Sequence, residues 1–118
     1  MKTSFLSAAL LFVGLLGAQY SSAQTTSDII QETVKSEMQT IQEYVKLDVR
    51  QKTLVERHIM AREKDYSYAV YGKNLEKPDV EKAKNKIDSS FVNSMKNTLS
   101  GQQISDLKPY FAAKQLKL

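Results

Sequence analysis

The sequence predicts an all-α protein: a long antiparallel helical hairpin flanked by two shorter helices, four helices in the exported chain. Three observations predict it. Apolar residues recur at spacings of three and four, the period of a helical stripe, and no stretch of five residues alternates with the period of a strand. A five-residue pattern occurs twice, as Leu47-Asp48-Val49-Arg50-Gln51 and as Leu99-Ser100-Gly101-Gln102-Gln103, and each copy reads as a helix start. A single convincing loop, Gly72 to Lys77, separates two long helical stretches, and Pro78 suits the first turn of the helix that follows it.

In each copy of the repeated pattern, Asp48 or Ser100 can accept from the N–H of the third helical residue, while Gln51 or Gln103 reaches back to the cap residue's own N–H. Leu47 and Leu99 stand where a hydrophobic staple begins. Ile104 is placed to close the second staple, whereas Lys52 offers the first only its alkyl stem.

Residues 1–23 read as a cleaved secretory signal peptide. Lys2 precedes an apolar run from Phe5 to Ala18 broken only by Ser7, and Ser21-Ser22-Ala23 gives a small-x-small cleavage site before Gln24. The run is 14 residues long, against the roughly 20 a membrane span needs. The expectation is therefore one exported helical domain over 24–118, with no stable membrane insertion after cleavage. The chain has no cysteine, so packing alone must hold that domain together. With Lys2 removed, 16 of the 17 basic residues face 13 acidic ones, a net charge of +3. So mild a balance, with signs alternating through Glu76 to Asp88, argues against nucleic acid and leaves a weak preference for anionic clients or membrane surfaces.

The first helix is expected to start at Ser27 or Asp28, with Asp28 and Gln31 as a capping box, and to carry Ile30, Val34, Met38, Ile41 and Val45 to about Lys46. The second carries Val55, Ile59, Tyr66, Ala69 and Val70 on one stripe and stops at Gly72; over 49–71 it would be about 35 Å long. The third starts at Pro78, places Asp79 and Glu81 in its first turn, and carries Val80, Ile87, Phe91, Met95 and Thr98. The last has Ile104, Leu107, Tyr110, Phe111 and Leu116 as its apolar face, and Pro109 predicts a kink or break near Asp106 to Lys108.

With these elements in place, the chain resembles the Spy and CpxP family of small periplasmic helical proteins, known for a repeated Leu-Thr-x-x-Gln motif. Leu47 to Gln51 and Leu99 to Gln103 occupy the two motif positions, with Asp48 and Ser100 standing where the family has threonine. The resemblance implies a curved helical protein, usually a homodimer, that shields unfolded envelope proteins without ATP or restrains an envelope-stress sensor.

Residue chemistry alone offers little to an enzyme. His58 is the only histidine, and its helical neighbours at i±4 are Leu54 and Arg62, so a metal or catalytic role lacks partners. Glu56, Glu63, Asp65, Asp79, Glu81 and Asp88 are interleaved with Arg57, Arg62, Lys64, Lys82 and Lys84, the pattern of surface ion pairs. Tyr66, Tyr68 and Tyr71 read as core or dimer interface in preference to a contact surface. Gly101 is explained by a helix start, and no phosphate loop, dinucleotide fingerprint or nucleophile elbow is present.

The expected function is that of an ATP-independent periplasmic chaperone-like or envelope-stress accessory protein, without cofactor or metal. It would bind unfolded or partner proteins, or a second copy of itself, through an apolar helical face made of Val55, Ile59, Tyr66, Val70, Ile87, Phe91 and Met95. The alternative is a secreted interaction or structural module whose apolar face is already occupied.

Overall fold

In a computed structural model of the chain, residues 22–118 are described, with side chains from Thr26 onward. The described chain is helical, with α1 Ser22–Tyr44, α2 Val49–Ala69, α3 Pro78–Thr98, α4 Gly101–Asp106 and α5 Lys108–Ala113. No strand occurs among the described residues. Of the expected signal peptide, residues 1–21 lie outside them. The chain divides into two units between Thr33 and Val34. The described part of the first is the opening of α1, taken next, and the second holds everything discussed after it.

The start of α1 differs from expectation. The chain is already helical at Ser22, the first described residue, so Asp28 is an exposed interior residue and not a cap. Nothing between Ser22 and Asp28 is a glycine or proline, and a capping signal permits a helix start without forcing one.

Both repeated segments start helices as their chemistry requires. Asp48 caps α2 and Ser100 caps α4, each in extended backbone and each with the full reciprocal capping box. At the far end of α2, the N–H groups of Val70 and Tyr71 both donate to the Tyr66 carbonyl, at 2.9 and 2.7 Å, and Gly72 turns the chain at φ +77°. Pro78 is the first residue of α3, where an N–H would have no partner in the helix.

The last expected helix is two helices. Leu107 leaves helical geometry, and Pro109 sits second in α5, without an N–H to continue the α4 ladder. The described chain thus has five helices where the stripe pattern implied four. Leu107 is fully buried at the break, together with Tyr110, Phe111 and Leu116.

The C-terminus of α5 carries a local conflict. Leu116 N–H donates to Phe111 O at 2.9 Å and Gln115 N–H to Ala112 O at 3.0 Å, the two bonds of a Schellman ending, with Gln115 at φ 59° in the position glycine favours. A glutamine pays for that left-handed backbone, whereas glycine would add chain entropy to the unfolded state. Gln115→Gly is expected to raise the unfolding free energy by about 0.5 kcal/mol, read from the midpoint of urea denaturation.

The core of the second unit is built from the stripes. Val34, Met38 and Ile41 of α1, Val45 and Leu47 of the first connection, and Leu99 before α4 are all buried. Val92 joins Val80, Phe91 and Met95 in α3, which the three-and-four spacing alone had not singled out. The proposed open face is not open: Val55, Ile59, Tyr66, Val70, Phe91 and Met95 are buried, and only Ile87 is partly exposed. Ile41 of α1, Leu107 at the break between α4 and α5, and Phe111 of α5 are fully buried as well, and the apolar stripes of the long helices are not left to solvent.

Candidate functional site

The two repeated segments meet. Gln51 Nε2 donates to Gln103 Oε1 at 2.9 Å, and Gln103 Nε2 donates back to Gln51 Oε1 at 3.0 Å. Each amide then uses what remains. Gln51 Nε2 also faces Thr98 O at 3.4 Å, and Gln103 Nε2 donates to Lys46 O at 2.9 Å. The two Oε1 atoms accept the cap N–H groups of Asp48 and Ser100, at 3.1 and 2.9 Å. Both donors and both lone pairs of each side chain are therefore committed, which makes the pair a structural joint between helix starts.

A second cluster lies further along α2 and α3, with Asp88 at its centre. Asp88 Oδ1 accepts the Tyr66 hydroxyl in a short hydrogen bond and lies 3.3 Å from Arg62 Nε, while Oδ2 lies 3.0 Å from Lys84 Nζ. Arg62 also reaches Glu63 Oε2 at 3.4 Å, and its guanidinium stacks 4.4 Å from the Tyr66 ring centre and 5.6 Å from that of Phe91. Glu63 is only 6% exposed and takes the Tyr71 hydroxyl at 3.0 Å on its other oxygen. A related pairing joins α1 to the C-terminal segment: Glu37 accepts the Tyr110 hydroxyl at 2.6 Å and pairs with Lys114 Nζ at 2.6 Å.

These environments fix the protonation states. Burial, reinforced by the hydrogen bond to Asp88, holds the Tyr66 hydroxyl far above the ordinary tyrosine range; burial and then the Glu37 charge do the same for Tyr110. Burial and the neighbouring Glu63 charge push Tyr71 up to about 12. Burial works against the Arg62 charge, but Tyr66, Asp88 and Glu63 outweigh it and the guanidinium ends above its usual value. At neutral pH the tyrosines are donors and Arg62 is a cation, so the carboxylates of the cluster are met by donors from within it. That is the chemistry of a packing network. The sequence reading of Glu63, Arg62 and Asp88 as solvated surface pairs is corrected accordingly, because the helical period that spaces them also turns them toward the partner helix.

His58 Nε2 lies 2.7 Å from Thr98 Oγ1, and burial lowers its pKa, which keeps the ring neutral. With Arg62, Asp65, Ile87, Ser90, Phe91 and others it lines a shallow groove of about 60 Å³ between α2 and α3. Among the described residues, no group of three or more acidic, histidine or cysteine side chains is placed to hold a metal ion. No described helix is long and apolar enough to cross a membrane.

The three tyrosines divide. Tyr66 belongs to the core, Tyr71 is about half exposed at 53%, and Tyr68 is 86% exposed. With Leu75, 50% exposed, the latter two put apolar area on the surface around the turn between α2 and α3. The helical period separates Tyr68 from Tyr66, which lie about 200° apart on α2, but it cannot place Tyr71, which follows the end of the helix. Comparison with known proteins found no matching family model, no matching curated protein and no matching solved structure.

Proposed function

We propose that this protein is an exported, non-catalytic helical module that binds other envelope proteins, unfolded ones included, through the exposed side chains at the turn between α2 and α3. The observation that carries this reading is the contrast between the buried long stripes and the exposure of Tyr68, Tyr71 and Leu75. Tyrosine and leucine on a short turn offer apolar area with polar tips, suited to contacts with varied partners. The proposal includes an antiparallel hairpin of α2 and α3. Its support is the order of the contacts: Gln51 and His58 near the start of α2 reach Thr98 at the end of α3, while Arg62 and Tyr66 reach Asp88 nearer its middle.

The meeting of the two Leu-x-x-x-Gln segments supports the likeness to Spy and CpxP proteins, because it gives both copies one shared structural purpose. Stoichiometric protein is expected to suppress aggregation of a reduced or heat-unfolded client. The variant Tyr68→Ser with Leu75→Ser is expected to lose most of that protection while melting at the same temperature. If aggregation proceeds unchanged in the presence of the native protein, the chaperone-like part of the reading falls. The burial of six of the seven stripe residues favours the second reading, a closed module with one specific partner.

A further inference from the structure

The outward side of α2 carries a line of cations that the binding turn does not explain. Arg50, Arg57 and Lys64 follow one another at seven-residue intervals, which on a helix of 3.6 residues per turn drift by only about 20° each. Tyr68 comes eighteen residues after Arg50, five whole turns, and stands directly in line with it. The line is about 27 Å long by the helical rise. All four residues are exposed, and none of the three cations takes part in any of the ion pairs among the described residues.

The absence of acids from this line is decided by position. No Asp or Glu occupies a place three or four residues from Arg50, Arg57 or Lys64, where a helical ion pair would form. The acids of α2 lie elsewhere: Glu63 is turned inward, and Glu56 and Asp65 are each about 100° around the helix from the neighbouring cation. Between the cations the ridge carries Thr53 and Ala61, both exposed and both short, so nothing tall holds a flat surface away from the charges.

We infer that this ridge of α2 docks on a layer of anionic lipid headgroups, with Arg50, Arg57 and Lys64 meeting the phosphates and Tyr68 lying at the interface. A lipid layer suits a straight, evenly spaced row of cations because its headgroups move laterally to meet them and need no matched register. The fully exposed tyrosine supplies a ring with a polar tip, the side chain that settles at bilayer interfaces. Each cation near such a surface contributes about a fivefold gain in binding. This docking is peripheral; it shares Tyr68 with the protein-binding turn, while its three cations lie outside that turn.

The test is co-sedimentation of the purified protein with vesicles of phosphatidylglycerol and phosphatidylcholine in equal parts, and with phosphatidylcholine vesicles alone. Binding is expected to the anionic vesicles only, and to vanish near 1 M salt, where screening acts within about 3 Å. The variant R50Q/R57Q/K64Q is expected to bind on the order of 100-fold more weakly. The charge-conserving R50K/R57K/K64R should bind as the native protein does, and so should the α3 variant K82Q/K86Q/K96Q. Helical circular dichroism of each variant separates lost binding from lost folding. Equal binding to neutral vesicles, or an equal loss from the α3 variant, overturns the assignment. So does failure to bind anionic vesicles, including the case in which the ridge binds an acidic polypeptide instead.

Discussion

Replacing Asp88 by alanine is expected to lower the unfolding free energy by about 3 kcal/mol, a large share of what a domain this size has to lose. One carboxylate serves three donors, from Arg62, Tyr66 and Lys84. Its removal leaves a mostly covered guanidinium, with 11% of its side-chain surface exposed, facing only Glu63. It also leaves the Tyr66 hydroxyl of a buried residue without its acceptor. Asp88→Asn keeps an acceptor for the tyrosine and gives up the charge, so it should fall between the native protein and alanine. Urea denaturation followed by helical circular dichroism gives the three values. A loss below about 1 kcal/mol for alanine would show that the cluster behaves as an exposed surface pair, as its sequence spacing suggests.

The second large effect concerns the joint between the repeated segments. Gln103→Ala removes one capping box and strips Gln51 of its partner, together costing about 2 kcal/mol. Gln51→Ala should cost about the same, because the arrangement is reciprocal. The informative quantity is the double variant. Once one amide is gone the other has already lost its partner, so the double variant should be more stable than additivity allows by about 1 kcal/mol. Strict additivity would mean that two independent caps happen to lie near each other. The separation of 52 residues in sequence makes the coupling a tertiary one.

Much of this fold was legible in the chain, for reasons that are local. Asp48 with Gln51, and Ser100 with Gln103, satisfy helix starts within four residues, so no distant information was needed to find them. Gly72 and Pro78 mark the turn by backbone constraints of their own, and Pro109 marks the break at Leu107 in the same way. What could not be read was whatever depends on which helices meet. The glutamines of the two motifs look like ordinary capping residues until the fold sets them face to face. Asp88 looks like one more charge on a solvated helix until Arg62 and Tyr66 arrive from α2. The occupant of the apolar stripe could not be read for the same reason, since a stripe declares that it will be covered and not by what. The exposure of Tyr68 and the shared line of Arg50, Arg57 and Lys64 were written in the helical period all along. They become meaningful only when the opposite side of α2 is known to be the buried one.

The Gln51–Gln103 joint contains no ionisable group, whereas the cluster around Asp88 consists of ionic and charge-assisted contacts. The start of α2 is therefore tied to the start of α4 by uncharged amides, while α2 and α3 are held together around Asp88 by ionic contacts. Concentrated salt weakens ionic contacts, while amide hydrogen bonds between uncharged groups do not feel it directly. Under such stress α2 and α3 would loosen first around Asp88, while the starts of α2 and α4 stay joined where the two motifs meet. The protein thereby has a built-in direction of opening, with the glutamine end as its fixed point.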